Sequence, residues 1–162
     1  EADNESHGAQ VLYCEENNSL EAHNRRWNKP FADNPDFQDA IMDRIRRCVE
    51  REKNRPCVMI WSAGNESAYG RCFEEAIRWT KRFDPDRLTH YESAQYHDTD
   101  RKYDFSPLDL YSMMYPSLDT IRAYLDNQPE KPFIALFAVK NGFIPISNII
   151  SAVFQVRLLF PL

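Results

Sequence analysis

The most informative segment of this 162-residue chain reads Cys57-Val58-Met59-Ile60-Trp61-Ser62-Ala63-Gly64-Asn65-Glu66. Its first five residues are apolar without alternation, which predicts a strand that is buried on both faces. Gly64 ends the run, and Asn65 and Glu66 follow at once. Polar side chains therefore come directly after a buried strand.

Helical patterns lie on either side of this strand. Asn34-Pro35-Asp36 combines a capping side chain, a proline at the first helical position and an acid in the first turn. It predicts a helix over 37–53, in which apolar residues recur at helical spacing. A second helix is marked by Phe73, Ile77, Thr80 and Phe83 and is closed by the turn Asp84-Pro85-Asp86.

Further strands are expected over 88–92, over 109–115 and from Lys131 onward, with a short helix over 118–125. Strands and helices that alternate with short connections predict parallel α/β architecture. A doubly wound nucleotide-binding sheet needs a glycine-rich turn, and the four glycines of this chain form none. A barrel collects polar residues at the C-terminal ends of several strands. Residues so placed are Asn65, Glu66, Glu92 and Tyr115, and they favour a partial (β/α)8 TIM barrel.

The composition argues against several partners. The net charge is −5, and lysine and arginine form no cluster interleaved with aromatic residues. Nucleic acid and anionic membranes are therefore poor candidate partners. Aromatic residues make up 13% of the chain, which fits a sugar-binding protein and equally fits a well-packed core.

The cysteines predict a reducing compartment. They form no C-x-x-C pair and no zinc spacing with histidine. We expect all four to be reduced and the protein to be cytoplasmic. They are Cys14, Cys48, Cys57 and Cys72.

Glu66 is placed to act as an acid in the cleavage of glycosides. That reaction needs one carboxyl group to protonate the leaving oxygen and, in retaining enzymes, a second about 5–5.5 Å away to attack the anomeric carbon. Asn65 beside it can donate a hydrogen bond to a sugar hydroxyl. The alternative is that Asn65-Glu66 merely caps the following helix.

Glu5-Ser6-His7 places a carboxylate and an imidazole two residues apart, on one side of an extended segment. Such a pair suits a divalent cation: the carboxylate favours Mg²⁺, and the histidine also admits zinc or manganese. A solvated polar stretch is the alternative.

Tyr115 could contact a nucleophile, stack on a sugar or be structural. Weaker candidates for binding are His90, His97, Asp98, Asp100 and Asp104.

Several segments together resemble the barrel domain of the family 2 glycoside hydrolases, specifically the large β-galactosidases. Residues 1–8 resemble the family's D-E-A-N-x-E-[ST]-H-G segment. Residues 55–67 are similar to its H-P-S-[VI]-x-x-W-S-x-G-N-E-S signature, and residues 84–92 to D-P-[TS]-R-P-x-x-Y-E, with Leu88 in place of a proline. Met114-Tyr115 and residues 131–134 fit the next two strands. The resemblance runs in order from residue 1 to about residue 134.

The resemblance implies a role for individual residues. Glu66 matches the general acid/base of a retaining β-galactosidase and Asn65 its substrate-binding neighbour. The metal ligands Glu5, His7 and Glu66 match those of an active-site Mg²⁺, and Tyr115 matches a tyrosine that contacts the nucleophile. The implied substrate is a terminal β-D-galactoside, and full-length members are expected to be homo-oligomers. Members of the family also act on β-glucuronides and β-mannosides.

The resemblance ends abruptly after residue 134. The family continues L-C-E-Y, in which the glutamate is the nucleophile, whereas Phe137 stands at that position here. Glu130 is the last acidic residue of the chain. We therefore expect a partial barrel domain over 1–134 and an apolar tail over 135–162 that is frame-shifted or otherwise divergent. The chain is predicted to be a truncated hydrolase that is inactive alone, or else a non-catalytic remnant that binds carbohydrate or a partner.

Overall fold

The computed structural model describes Ala2 and residues 28–97, 101–127 and 130–136, the last residue by its backbone only. Three α-helices and four β-strands lie in these ranges. The helices are α1 (Gln38–Glu52), α2 (Arg71–Phe83) and α3 (Leu118–Asp126). The strands are β1 (Ile60–Ser62), β2 (Leu88–His90), β3 (Tyr111–Met114) and β4 (Phe133–Leu136). Short 3₁₀ turns cover Pro35–Phe37 and Glu92–Gln95.

Helix α1 begins as its sequence predicts. The side chain of Asn34 accepts a hydrogen bond from the backbone N–H of Asp36, and Pro35 opens the 3₁₀ turn that leads into the helix. The stripe Ile41, Ile45 and Val49 is buried and packs in one core with residues of α2. The predicted helix over 37–53 is confirmed to within one residue at each end.

The strands are shorter than the sequence indicates. Arg55 and Val58 close a turn through a 3.2 Å backbone hydrogen bond, so β1 begins at Ile60 rather than at residue 57, and Met59 is 75% exposed. Trp61 is buried, but its neighbours in β1 are half-buried. The expectation of burial on both faces is thus met on one face only within the described residues. Strand β2 ends at His90, since the chain turns at Glu92.

All the described strand pairs are parallel. In β1 and β2, Trp61 is level with Thr89 and Ser62 with His90. Strands β3 and β4 pair along Tyr111–Met114. The two pairs are joined by a 2.9 Å hydrogen bond from Asp109 N–H to the Thr89 carbonyl. The chain is therefore α/β with parallel strands in sequence order, as predicted; the four described strands do not close a barrel.

One face of these strands is covered by helices. Trp61 donates a 3.0 Å hydrogen bond to Asp84 at the end of α2, and Tyr111 stacks on Tyr124 of α3 with ring centroids 4.4 Å apart. Because side chains alternate along a strand, Ser62, His90 and Ser112 lie on the opposite face.

Helix α2 approaches the preceding loop very closely. Gly70 caps its N-terminus, and a Cβ at Gly70 would lie 2.3 Å from the carbonyl carbon and oxygen of Ala32. The backbone of Ala32 and the side chain of Asp33 accept hydrogen bonds from the N–H groups of Cys72 and Arg71. No helix in the described parts of the chain is long and apolar enough to cross a bilayer.

Candidate active site

Glu66 lies in the loop that connects β1 to α2. Gly64 adopts φ 153°, and Glu66 adopts φ 42° in the left-handed region. Helix α2 starts only after its N-cap, Gly70. The alternative that Asn65-Glu66 caps this helix is therefore wrong, because the cap lies four residues beyond Glu66.

The loop is held by the segment that follows β2. The backbone N–H of Glu66 donates to Oε1 of Glu92, and the Ser93 hydroxyl donates to the same oxygen. Glu92 is only 2% exposed. Within the loop itself, the Ser67 hydroxyl donates to the carbonyl of Asn65 over 2.7 Å. Sequence reasoning noted Glu92 at a strand end but gave it no role at the site.

Tyr115 occupies the corresponding position after β3. It adopts φ 49° and is 55% exposed. A left-handed conformation costs a residue other than glycine about 1–3 kcal/mol and is concentrated at functional sites. In the described ranges such residues are Glu66, Ala68 and Tyr115, so two of the three are predicted site residues. Asn65, Glu66 and Tyr115 thus lie at the C-terminal ends of β1 and β3.

A row of polar side chains crosses the strands on the face opposite the helices. Ser62 is level with His90, and His90 Nδ1 lies 3.1 Å from the hydroxyl of Ser112. Burial lowers the pKa of His90 to about 4, so the imidazole is neutral at physiological pH. His90 is therefore a buried, hydrogen-bonded residue with a structural role in this row.

The remaining loop candidates have structural partners. His97 stacks on Tyr103 with ring centroids 4.7 Å apart. Asp104 accepts hydrogen bonds from Ser106 and Arg78, which lower its pKa to about 2. Asp98 and Asp100 lie outside the described residues.

The predicted metal site falls largely outside the described residues, because Glu5 and His7 do. Among the residues that the structure does describe, no group of three or more histidine, cysteine, aspartate or glutamate side chains could hold a metal ion. Ala2 is described, and its N–H donates a 3.0 Å hydrogen bond to the carbonyl of Ser62. The segment that leads to Glu5 therefore starts beside β1.

The cysteines of the described ranges form no disulfide. Cys72 donates a 3.2 Å hydrogen bond to the carbonyl of Asn34, and burial raises the pKa of this thiol to about 11. Cys14 lies outside these ranges, as does Phe137, the residue at the expected position of the nucleophile.

The sequence profile of glycosyl hydrolases family 2, TIM barrel domain, matches residues 1–139. The chain therefore belongs to this family. The family accounts for parallel strands with polar residues at their C-terminal ends.

The chain is similar to several proteins named beta-galactosidase. It is 40% identical to that of Actinobacillus pleuropneumoniae over 148 residues, which are 83% of this chain and 15% of the relative. It is 40% identical to that of Staphylococcus xylosus over 136 residues, or 83% and 13% of the two proteins. The identity to the Kluyveromyces lactis protein is 33% over 149 residues, or 83% and 14%. The chain thus spans about one seventh of the length of these relatives.

Proposed function

We propose that the chain carries the acid/base half of the active site of a retaining β-galactosidase, with Glu66 as the general acid/base. The observation that carries this proposal is the backbone of Glu66, which is left-handed just after strand β1 and donates its N–H to the buried side chain of Glu92. Membership of the family and the name shared by the relatives support the substrate, a terminal β-D-galactoside.

In this reaction the carboxyl group of Glu66 protonates the glycosidic oxygen while a second carboxylate attacks the anomeric carbon. Glu66 then removes a proton from the water that releases the sugar. Asn65, beside it, binds a sugar hydroxyl. In an intact enzyme, the residue at the position of Tyr115 contacts the nucleophile. Phe137 has no carboxylate, so the covalent step has no nucleophile at that position. The chain alone is therefore an inactive member of the family.

The same half-site is proposed to hold Mg²⁺ through Glu5, His7 and Glu66. Carboxylate oxygens are the ligands that Mg²⁺ prefers, and it keeps several waters besides. The bond from Ala2 to Ser62 supports this set, because Ala2 lies beside β1 and precedes Glu5 by only three residues in the sequence. The ion would supply positive charge beside the sugar hydroxyls and the acid.

We also propose that this half-site belongs to a complete (β/α)8 barrel. The four described strands, parallel and in sequence order, are half of the eight strands of a (β/α)8 barrel, which the remaining strands complete in an intact enzyme. Such an enzyme is expected to be cytoplasmic, in keeping with the cysteines of the described ranges, which form no disulfide, and to assemble as a homo-oligomer.

A chimera tests the role of Glu66. Residues 1–134 would replace the matching segment of the Staphylococcus xylosus enzyme, which keeps its own nucleophile. We expect the chimera to hydrolyse β-galactosides, and Glu66→Gln to lower kcat/KM, which reports the step that expels the leaving group, by about 10²–10⁴-fold for lactose. The loss should be smaller for a nitrophenyl galactoside, because its good leaving group needs little protonation.

Glu75→Gln is the matched control, since Glu75 lies exposed on α2 and pairs with Arg78. It should retain the kcat of the chimera on both substrates. Equal losses for lactose and the nitrophenyl galactoside in Glu66→Gln would contradict general acid catalysis by Glu66.

The second candidate function is binding without catalysis, and Phe137 at the nucleophile position favours it. Calorimetric titration of the full chain with a galactoside would detect it. The same titration of Glu66→Gln should give weaker heats if the half-site binds the sugar, whereas no heat in either protein would exclude binding.

A further inference from the structure

Glu92 has an unusual setting for a carboxyl group. It begins the 3₁₀ turn that follows β2, it is 2% exposed, and its neighbours Tyr91 and Ser93 are fully buried. A buried carboxyl group is costly unless hydrogen bonds compensate for the lost water. Here Oε1 accepts from the backbone N–H of Glu66 and from the hydroxyl of Ser93.

Three hydrogen bonds connect the loop after β1 to the segment after β2. The first and last join backbone to backbone: Ala63 N–H donates to the His90 carbonyl over 3.3 Å, and Tyr69 N–H donates to the Tyr96 carbonyl over 3.0 Å. The middle bond, at Glu66, is made by the side chain of Glu92. Glu92 therefore replaces backbone as the acceptor at the point where the loop carries Glu66.

The consequence is a fixed peptide plane at Glu66. The N–H of Glu66 is bound to Glu92, and the loop is fixed again at Tyr69. Between these two points the backbone turns through positive φ angles, 42° at Glu66 and 56° at Ala68. The direction of the Glu66 Cα–Cβ bond depends on that φ. An acid that is misplaced by about 1 Å loses much of its catalytic effect.

We propose that Glu92 is a positioning residue, whose buried carboxyl group holds Glu66 in the left-handed conformation that directs its side chain toward the substrate. This inference rests on the proposed role of Glu66 as the acid/base. The bond also gives a buried oxygen of Glu92 a partner, so losing it costs more than losing an exposed hydrogen bond would.

Nuclear magnetic resonance of the full chain tests the inference without catalysis. A residue with positive φ has a short distance between its amide proton and Hα, and therefore a strong intraresidue Overhauser effect. We expect this signal at Glu66 to fall several-fold in Glu92→Ala. In Glu92→Gln, whose amide oxygen can still accept, the signal should remain.

Two controls make the result specific. Tyr115, with φ 49° after β3, should keep its strong signal in every variant and so report that the fold is intact. Glu74→Ala removes another buried carboxyl group, one that is bound by Arg101, and should leave Glu66 unchanged. An unchanged Glu66 signal in a folded Glu92→Ala would overturn the inference. If Glu92→Ala fails to fold, rapid exchange of the Glu66 amide proton with solvent in the parent protein would overturn it instead, because a proton bound to buried Glu92 must be protected.

The chimera separates this inference from the proposed function. Glu92→Ala should lower kcat there more than it changes KM, and Glu92→Gln should restore most of the rate. If Glu66→Gln left the rate unchanged while the Glu66 signal still depended on Glu92, the acid/base role would be wrong and the structural coupling would stand.

Discussion

At the scale of single residues, His90 makes the stability of the fold depend on pH. Burial lowers its pKa to about 4, whereas the unfolded chain has the ordinary value of 6.5. Between these values the unfolded chain binds a proton that the folded chain does not. The free energy of unfolding should therefore fall as the pH drops below 6.5, by up to about 3 kcal/mol at pH 4 from this group. Above pH 6.5 the imidazole contributes no pH dependence.

His90→Asn tests this, because an asparagine can still contact the hydroxyl of Ser112 but does not titrate. Urea unfolding at about pH 7.5 and about pH 4.5 should show a smaller loss of stability in the variant than in the parent. The same loss in both proteins would mean that other groups cause the acid sensitivity.

The positions of Asn65, Glu66 and Tyr115 after strands were predictable, but the backbone conformation of Glu66 and Tyr115 was not. Asn65, Glu66 and Tyr115 were named from their places after strands and from matched segments. Neither Glu nor Tyr favours positive φ, so residue type argues against the conformation that both adopt. At Glu66 the backbone N–H is bound by Glu92, which lies 26 residues away in sequence, so local residue preferences could not reveal this contact.

At the scale of elements, Asp33 fixes the start of α2. Its Oδ1 accepts 2.9 Å hydrogen bonds from the backbone N–H of Arg71 and from Arg101, and its side chain is 5% exposed. Burial alone would raise the pKa of Asp33, but these bonds outweigh it and lower the pKa. Asp33→Ala should cost about 1–3 kcal/mol, because it leaves the helix N–H of Arg71 without its acceptor and removes one of the two carboxylates that bind Arg101.

The matched control is Asp43→Ala, which breaks an exposed pair with Arg47 on α1. We expect it to change stability by less than about 1 kcal/mol. Thermal unfolding of both variants gives the comparison. Equal shifts in Tm would show that the Asp33 cluster adds nothing beyond an ordinary surface pair.

Helices were predicted more closely than strands for a physical reason. The start of α1 is encoded locally by Asn34 and Pro35, and its stripe repeats over four turns. The apolar run at 57–59 carries no such signal, and a turn closed by Arg55 and Val58 removes it from β1. The turn at Glu92 likewise depends on contacts with the neighbouring loop rather than on its own sequence.

At the scale of the whole molecule, the parallel order of the strands followed from the alternation of elements, whereas closure of a barrel depends on strands beyond those described. This leads to a prediction for Phe137→Glu in the full chain. It restores a carboxyl group to the sequence, but a retaining pair must lie about 5–5.5 Å apart, which only a closed barrel enforces. We expect no turnover of a chromogenic β-galactoside. Turnover at the rate of an intact relative would contradict this.

The three hydrogen bonds that tie residues 63–69 to residues 90–96 have an evolutionary consequence. These bonds fix the two segments against each other at set positions. An insertion in one segment would therefore separate Glu66 from Glu92 unless the other segment changed its length as well. The two segments should therefore tolerate substitution far better than insertion or deletion. In library design they are best exchanged between relatives as a matched pair, never singly.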